Sequence, residues 1–541
     1  MTQRVRDLLE IYSAPEACAA RLLCDHRDPA ALAYRIVAAD LSVQDVTYGE
    51  LRRESERFAA VLQALGVGPG DRVATLMGKS RSYLVTLMGI WRLGAVHVPL
   101  FTAFAPPAIA FRLNGSGARA VVCDDGQLAK LACEDASWRV ITTGEPAGSA
   151  LSFDALMADA EPGIPAAAAG GDAPLIHIYT SGTTGNPKGV VVPLRAVAAF
   201  QTYAEFGLGI RAADDVFWCA ADPGWAYGLY FGVLATLSTG VRSLLFEGGF
   251  TPESTLAVLA QERVTNFAAA PTVYRALRAS GLRPAADVLL RCASSAGEPL
   301  TPDVNLWAKD ALGVAVHDHY GQTEAGMLIN NHHHPAVAEP IKDGAMGRAM
   351  PGWTATILHE QRDEEAGAGE VGRVAMVLPE SPLAWFQGYD GDPAKSAEKF
   401  AGAGRWYVTG DTGRIDADGQ FHFSARDDDV IIMAGYRIGP FEVESVLATH
   451  PAVAECAVIA VPDEVRGEVI EAYAVLREGH AADAELERDI QQWVKRNYAA
   501  HAYPRRVHFT PAMPKTPSGK IQRFVLKQQR LEELARQQGE R

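Results

Sequence analysis

The chain has 541 residues, of which 48% are hydrophobic, 21% charged and 8% aromatic, so at ~150 residues per domain three to four structural units are expected. That composition excludes wholesale disorder, a fibrous repeat and a coiled coil. With 50 Lys+Arg against 65 Asp+Glu the net charge is −15, and without a Lys/Arg-rich block the chain lacks the electrostatic footprint of a nucleic-acid binder.

In chain order, residues 1–7 lack the apolar core of a signal peptide. The 7 cysteines form no CxxC, which points to reduced thiols and a cytoplasmic protein. Apolar residues at helical spacing predict a helix over 48–65, and after a glycine-rich turn a strand over 73–77. A helix over 82–93 and strands over 95–100 and 118–123 follow. Residues 146–173, rich in Ala, Gly and Pro, read as a surface connection. The uncharged run 223–241 is interrupted by Pro and Gly and reads as buried core rather than a membrane span. Strands alternating with longer helical segments predict an α/β fold, a large N-terminal domain of layered sheets and helices. After Gly419 short strands and charged helices predict a small α+β unit, with a helix over 490–497.

The chemistry begins where the strand 175–179 runs into Thr180-Ser181-Gly182-Thr183-Thr184-Gly185-Asn186-Pro187-Lys188-Gly189. Glycines free backbone amides to point at an anion, hydroxyls add donors and Lys188 adds a point charge. The pattern is not GxxxxGK[ST], because Pro187 fills the second glycine position. It resembles the phosphate-binding signature of the adenylate-forming superfamily, which includes the acyl-CoA synthetases. Further matches occur in that family's order. They are Ser295 to Leu300, Tyr320-Gly321-Gln322-Thr323-Glu324, Tyr407 to Asp411, Arg426 to Ile431 with Gly435 to Pro440, and Pro514 to Lys520.

The resemblance implies ATP, Mg²⁺ and CoA as the small molecules handled, and an acyl-adenylate as intermediate. Thr180, Ser181, Gly182, Thr183, Thr184 and Lys188 would hold phosphates, and Gly297, Glu298 and Pro299 would border adenine. His319, Tyr320, Gly321, Gln322 and Thr323 would follow the nucleotide, Glu324 would ligate Mg²⁺, and Asp411 would hold the ribose hydroxyls. Arg426 and Arg437 suit phosphate or ribose. Lys520, with Glu324 and Thr323, would be catalytic, bridging the substrate carboxylate and the α-phosphate. This assignment answers a physical problem: one anion must attack another, and repulsion blocks it unless cations neutralise both.

The resemblance divides the chain into residues 1–427 and a mobile unit, 428–541, turning about Asp428. Ala434, Gly435 and Tyr436 would line the pantetheine path of CoA, Gly435 because a residue without a side chain lets a chain pass close to backbone. Lys495 and Arg496 would meet CoA phosphates or merely solvate the surface. The acyl pocket would include Trp225, in a stretch that resembles acetyl- and medium-chain acyl-CoA synthetases, and Gly321. Acetyl-specific members carry Trp at the position of Gly321, so its absence predicts room for a short-to-medium-chain acid, branched acids included. The alternatives are an aryl-CoA ligase, loading of a carrier protein's phosphopantetheine, a luciferase-like oxidase, and a nucleotide-sensing scaffold without catalysis. Neither nucleic acid nor a membrane is an expected partner, and a monomer or homodimer is expected. The adjacent His332, His333 and His334 read as a polar loop rather than a metal site.

Overall fold

The computed structural model describes residues 2–539 except 133–136, 181–186, 299, 427, 428, 430, 434, 435, 464–466, 500, 501 and 517–519. For 432, 436, 437, 467, 538 and 539 it describes backbone only. The first helix predicted spans Tyr48–Ala64. Thr47 caps it by accepting from Glu50 N, while the Glu50 carboxylate accepts from Thr47 N, so two amides that helix geometry leaves unpaired are satisfied. The next, Arg81–Arg92, is buried on nearly every face because it lies between the first helix and a sheet. Strands Arg72–Leu76, Val96–Pro99 and Ala120–Cys123 pair in parallel at the positions expected.

Among the described residues the large N-terminal part holds two sheets of fourteen and eight strands that share one core. The fourteen-stranded sheet is parallel through Asn266–Ala269, Cys292–Ala296 and Val316–Gln322, then turns antiparallel towards Trp406–Ile415 and Phe421–Arg426. In open α/β sheets ligands bind outside the carboxyl ends of the parallel strands. Here those ends deliver Gly297, Glu298 and the 320–324 segment to one place.

A five-stranded sheet built from Ile431–Met433 onwards has its own apolar core, which runs from Ile431 to Leu526. The architecture is thus mixed α/β, with a large N-terminal and a small C-terminal domain.

One expectation holds and two change. The run 223–241 is a buried helical segment from Ala226 to Thr239, ending at Gly240 with φ +72°. No helix of the described residues is long and apolar enough to cross a membrane. Residues 146–173 are not all loop, since Phe153–Asp159 is helical and Phe153 packs on Phe58 at 5.2 Å between ring centroids. The helix expected at 490–497 begins a turn and a half earlier, at Ala484. Asp483 accepts there from the amides of Glu485 and Leu486, a start signal that the charged first turn hid from an apolar-periodicity reading.

Candidate active site

Strands Pro174–Thr180 and Lys188–Pro193 form an antiparallel hairpin in which Thr180 faces Lys188 across the ladder. Ser181, Gly182, Thr183 and Thr184 lie outside the described residues. Lys188 is positioned by the strand it begins, because Lys188–Pro193 also pairs with the two-residue strand Tyr389–Asp390. The Lys188 amine consequently sits 5.0 Å from the centroid of the Tyr389 ring. The Tyr389 hydroxyl in turn donates to Glu324 Oε1 at 2.7 Å. Glu324 is 8% exposed, and no described residue donates to its Oε2. A buried carboxylate with one oxygen tethered and the other without a described donor fits a divalent cation.

Strand Val316–Gln322 presents Tyr320 and Gln322 on one face. Tyr320 Oη donates to Asp411 Oδ2 at 2.5 Å, and Gln322 Nε2 donates to the same oxygen at 2.7 Å and to Thr409 O at 3.0 Å. Tyr407 Oη closes the group by donating to Gln322 Oε1 at 2.8 Å. Burial beside Asp411 pushes the Tyr320 hydroxyl well up, so it stays a donor. Asp411, 6% exposed, is thereby held in one orientation.

From the C-terminal domain, Lys520 reaches into this cleft. Its Cε and Nζ lie 3.6 and 3.7 Å from where a Cβ on Gly297 would stand, and Gly297 itself has φ +97°. Part of the Lys520 side chain remains open to solvent. Its amine is nevertheless crowded by protein, and this desolvation lowers its pKa from the ordinary lysine value, with Glu298 and Asp411 opposing and Arg426 assisting. Glu298 is itself paired to Arg275 at 2.7 Å. Arg426 faces Asp411 across the antiparallel ladder. One cleft therefore gathers three cations, Lys188, Arg426 and Lys520, around two buried carboxylates inside an acidic protein.

The family model for AMP-binding enzymes matches residues 25–389, and that for the AMP-binding enzyme C-terminal domain matches residues 442–520. The chain belongs to the AMP-binding enzyme family. It is 36% identical over 522 residues to the acetyl-coenzyme A synthetase of Bacillus subtilis (strain 168), covering 93% of this chain and 87% of that one. Among solved structures it matches the Brucella canis acyl-CoA synthetase with a TM-score of 0.76 and 40% identity, covering 98% of each chain. It also matches a benzoate CoA ligase from Burkholderia xenovorans LB400 with a TM-score of 0.84 and 31% identity, covering 94% of this chain and 100% of that one. The enzyme class is that of the AMP-forming acyl-CoA synthetases, acid–thiol ligases.

Within this family member several expected residues stand differently. His319 is on the opposite face of its strand from Tyr320 and Gln322. Its Nδ1 lies 2.7 Å from Tyr203 Oη and its Nε2 2.9 Å from Asn331 O, so its side chain does not join the Asp411 group. Trp225 packs at 5.2 Å on Phe101 and 5.5 Å on Phe104, its indole nitrogen buried with no partner among the described residues. Gly321 is closely approached by the next strand. A Cβ there would lie 2.2 Å from Gly326 O and 2.7 Å from Met327 Cα, so glycine is demanded by the close approach of the next strand. Lys495 stacks its amine over Tyr503 at 3.9 Å, and Arg496 bonds back to Gln492 O on its own helix. Pro299, Asp428, Ala434 and Gly435 lie outside the described residues, as do the side chains of Tyr436 and Arg437.

The histidine run is a loop, as expected, but a largely buried one. His332 is 4% exposed, and His333 turns inward to stack on His317 at 3.5 Å with 16° between the rings. Burial pushes His317, His319, His332 and His333 down, so all are neutral near pH 7. The ring nitrogens of His317, His319 and His333 lie within 4.8 Å of one another. Parallel stacked rings, however, direct their in-plane lone pairs past a common point rather than onto it.

Sequence reasoning missed three groups. Tyr389 and Lys399 fall outside the motifs read from the sequence, and the fold brings them to the site. Asp318 precedes His319 and accepts from Leu300 N at 3.3 Å, and burial pushes its carboxyl up to about 7. Its adjacency to the Tyr320–Glu324 motif was the available signal.

Proposed function

We propose that this synthetase activates a short-to-medium-chain aliphatic carboxylic acid, branched acids included, by ATP-dependent formation of an acyl-adenylate, and then transfers the acyl group to CoA with release of AMP. The observation that carries the reading is the convergence of the Lys520 amine on Gly297 and Glu298, in the cleft that also holds Lys188, Glu324 and Asp411. The substrate carboxylate attacks the α-phosphorus of ATP and pyrophosphate leaves. Lys520 neutralises the charge shared by carboxylate and α-phosphate, and Asp411, oriented by Tyr320 and Gln322, accepts from the ribose hydroxyls. Glu324 would hold Mg²⁺ through Oε2, and the ion supplies charge neutralisation to the departing phosphates. Lys188 adds a point charge on the same side.

In the second half-reaction the C-terminal domain, from Asp428 onwards, turns so that the Lys520 segment withdraws and the 434–436 stretch meets the pantetheine. The CoA sulfur then attacks the acyl carbon, its proton leaves, and AMP departs with the bonding pair of the mixed anhydride.

The aromatic surroundings of Trp225 suit an uncharged acyl group. Similarity to the benzoate CoA ligase favours a second reading, an aryl acid. Pyrophosphate release with CoA present, measured across acetate, short- and medium-chain aliphatic acids and aryl acids, separates the two. Highest kcat/KM with the aliphatic set is expected, and highest kcat/KM with benzoate would replace the first reading by the second. Turnover without thioester formation on free CoA would overturn both.

A further inference from the structure

Lys399 lies between the helix Pro393–Ala397 and the strand Phe400–Ala401. Its amine reaches back over the segment that carries Asp411. Nζ donates to Thr409 O at 2.7 Å, lies 3.3 Å from where a Cβ on Gly410 would stand, and sits 5.9 Å from the centroid of the Tyr407 ring. An ammonium has three donors, and among the described residues only this one carbonyl accepts from it. No described carboxylate lies within ion-pair distance of it. The two in its field are engaged elsewhere, Asp411 Oδ2 by Tyr320 and Gln322, and Glu324 Oε1 by Tyr389.

A partly buried cation with one neutral acceptor is poorly solvated, and desolvation accordingly lowers its pKa against the pull of Glu324 and Asp411. Such a site is completed by an anion that brings its own acceptors. On the nucleotide reading above, which this inference extends, the ribose is at Asp411 and the β- and γ-phosphates are near Glu324 and Lys188. The phosphate that joins them, the α-phosphate, must pass the amine whose surroundings include all three.

We propose that Lys399 is a phosphate-binding residue that grips the α-phosphate from the N-terminal domain, opposite the mobile Lys520. Both cations meet that phosphate during adenylation. Only Lys399 belongs to the part that stays in place when the C-terminal domain turns, so it alone of the two remains on the phosphate of the acyl-adenylate. It would then stabilise the charge that collects on AMP as the thioester forms.

The test compares adenosine and AMP binding by calorimetry for the full chain, wild type, Lys399→Met and Lys399→Gln. Gln keeps a donor for Thr409 O and so retains the brace while removing the charge. AMP affinity is expected to fall about tenfold or more in both variants. Adenosine affinity should stay within about twofold. Parallel loss of adenosine and AMP binding would reduce Lys399 to a brace for the 409–411 segment and overturn the proposal, as would unchanged AMP binding. Wild-type protein that binds AMP no better than adenosine would overturn the nucleotide reading itself. A kinetic arm adds a second criterion: Lys399→Gln should slow thioester formation from supplied acyl-adenylate, a step that Lys520→Ala leaves intact.

Discussion

The hydroxyl of Tyr389 donates to Glu324 Oε1 across 2.7 Å, joining two residues 65 positions apart. The same ring carries the Lys188 amine at 5.0 Å. Burial, with Glu324 adding to it, pushes the Tyr389 hydroxyl well up, so it remains a donor throughout the working pH range. One tyrosine therefore fixes the carboxylate that would hold the metal and the cation that would meet the phosphates.

Replacing that hydroxyl isolates its effect. Tyr389→Phe keeps the ring under Lys188 and removes only the bond to Glu324, a hydrogen bond to a charged acceptor worth roughly 1.5–3 kcal/mol. Adenylation kcat/KM should fall by about tenfold to a hundredfold, with half-saturation by Mg²⁺ moving to higher concentration. An unchanged Mg²⁺ dependence alongside lowered activity would show that Tyr389 merely packs.

Lys520→Ala should lower acyl-adenylate formation by about a hundredfold or more while thioester formation from supplied acyl-adenylate persists. Because desolvation lowers the Lys520 pKa, its charge is lost at a lower pH than that of an ordinary lysine. Adenylation should therefore decline on the alkaline side, and Lys520→Arg, if active, should lack that limb. Equal loss of both half-reactions in the alanine variant would refute the assigned role.

At Gly321 the packing forbids even a methyl group. Gly321→Ala places a Cβ against Gly326 O and Met327 Cα, forcing two paired strands apart, and should destabilise by about 1–3 kcal/mol. Thermal melting checks this. Gly321→Trp should unsettle the strand pair before it sets chain length. A folded, wild-type-stable tryptophan variant that turns to acetate would restore the vacated-pocket explanation.

Acid stability depends on buried neutral histidines. Burial lowers His97 to about 3 and His177 and His332 to about 4, against 6.5 for an exposed imidazole. Between roughly pH 6.5 and 4 the unfolded chain binds these protons and the folded one does not, so stability rises with pH across that window. Each such group contributes a slope of about 1.4 kcal/mol per pH unit. Denaturant titrations at pH 7 and pH 5 should show it, and His177→Gln should reduce the slope by about one proton's worth. An unaltered slope would mean that His177 is protonated in the fold, through Asp390 at 3.6 Å.

Chemistry written in contiguous residues was legible without coordinates. The loop from Thr180, the 320–324 run and the segment ending at Lys520 each place several specialised residue types next to one another, and the resemblance to a known family gives those runs their expected chemistry. Helices such as Tyr48–Ala64 were legible too, since capping and periodicity are local. Side-chain direction was not. His319 sits beside Tyr320 in sequence yet faces Tyr203, because successive residues of a strand point to opposite faces. The close approach of the neighbouring strand to Gly321 was hidden too, because no local pattern encodes it. Tyr389 and Lys399 belong to none of the motifs read from the sequence, and antiparallel pairing of the strands at or beside them brings them to Glu324 and the 409–411 segment. The sequence by itself determined the family and the α/β class and named candidate residues for the chemistry, because motifs and periodicity are local. Which of those side chains meet, and which further residues hold them, was decided by the tertiary structure, because contacts across many tens of residues depend on how the sheets pair.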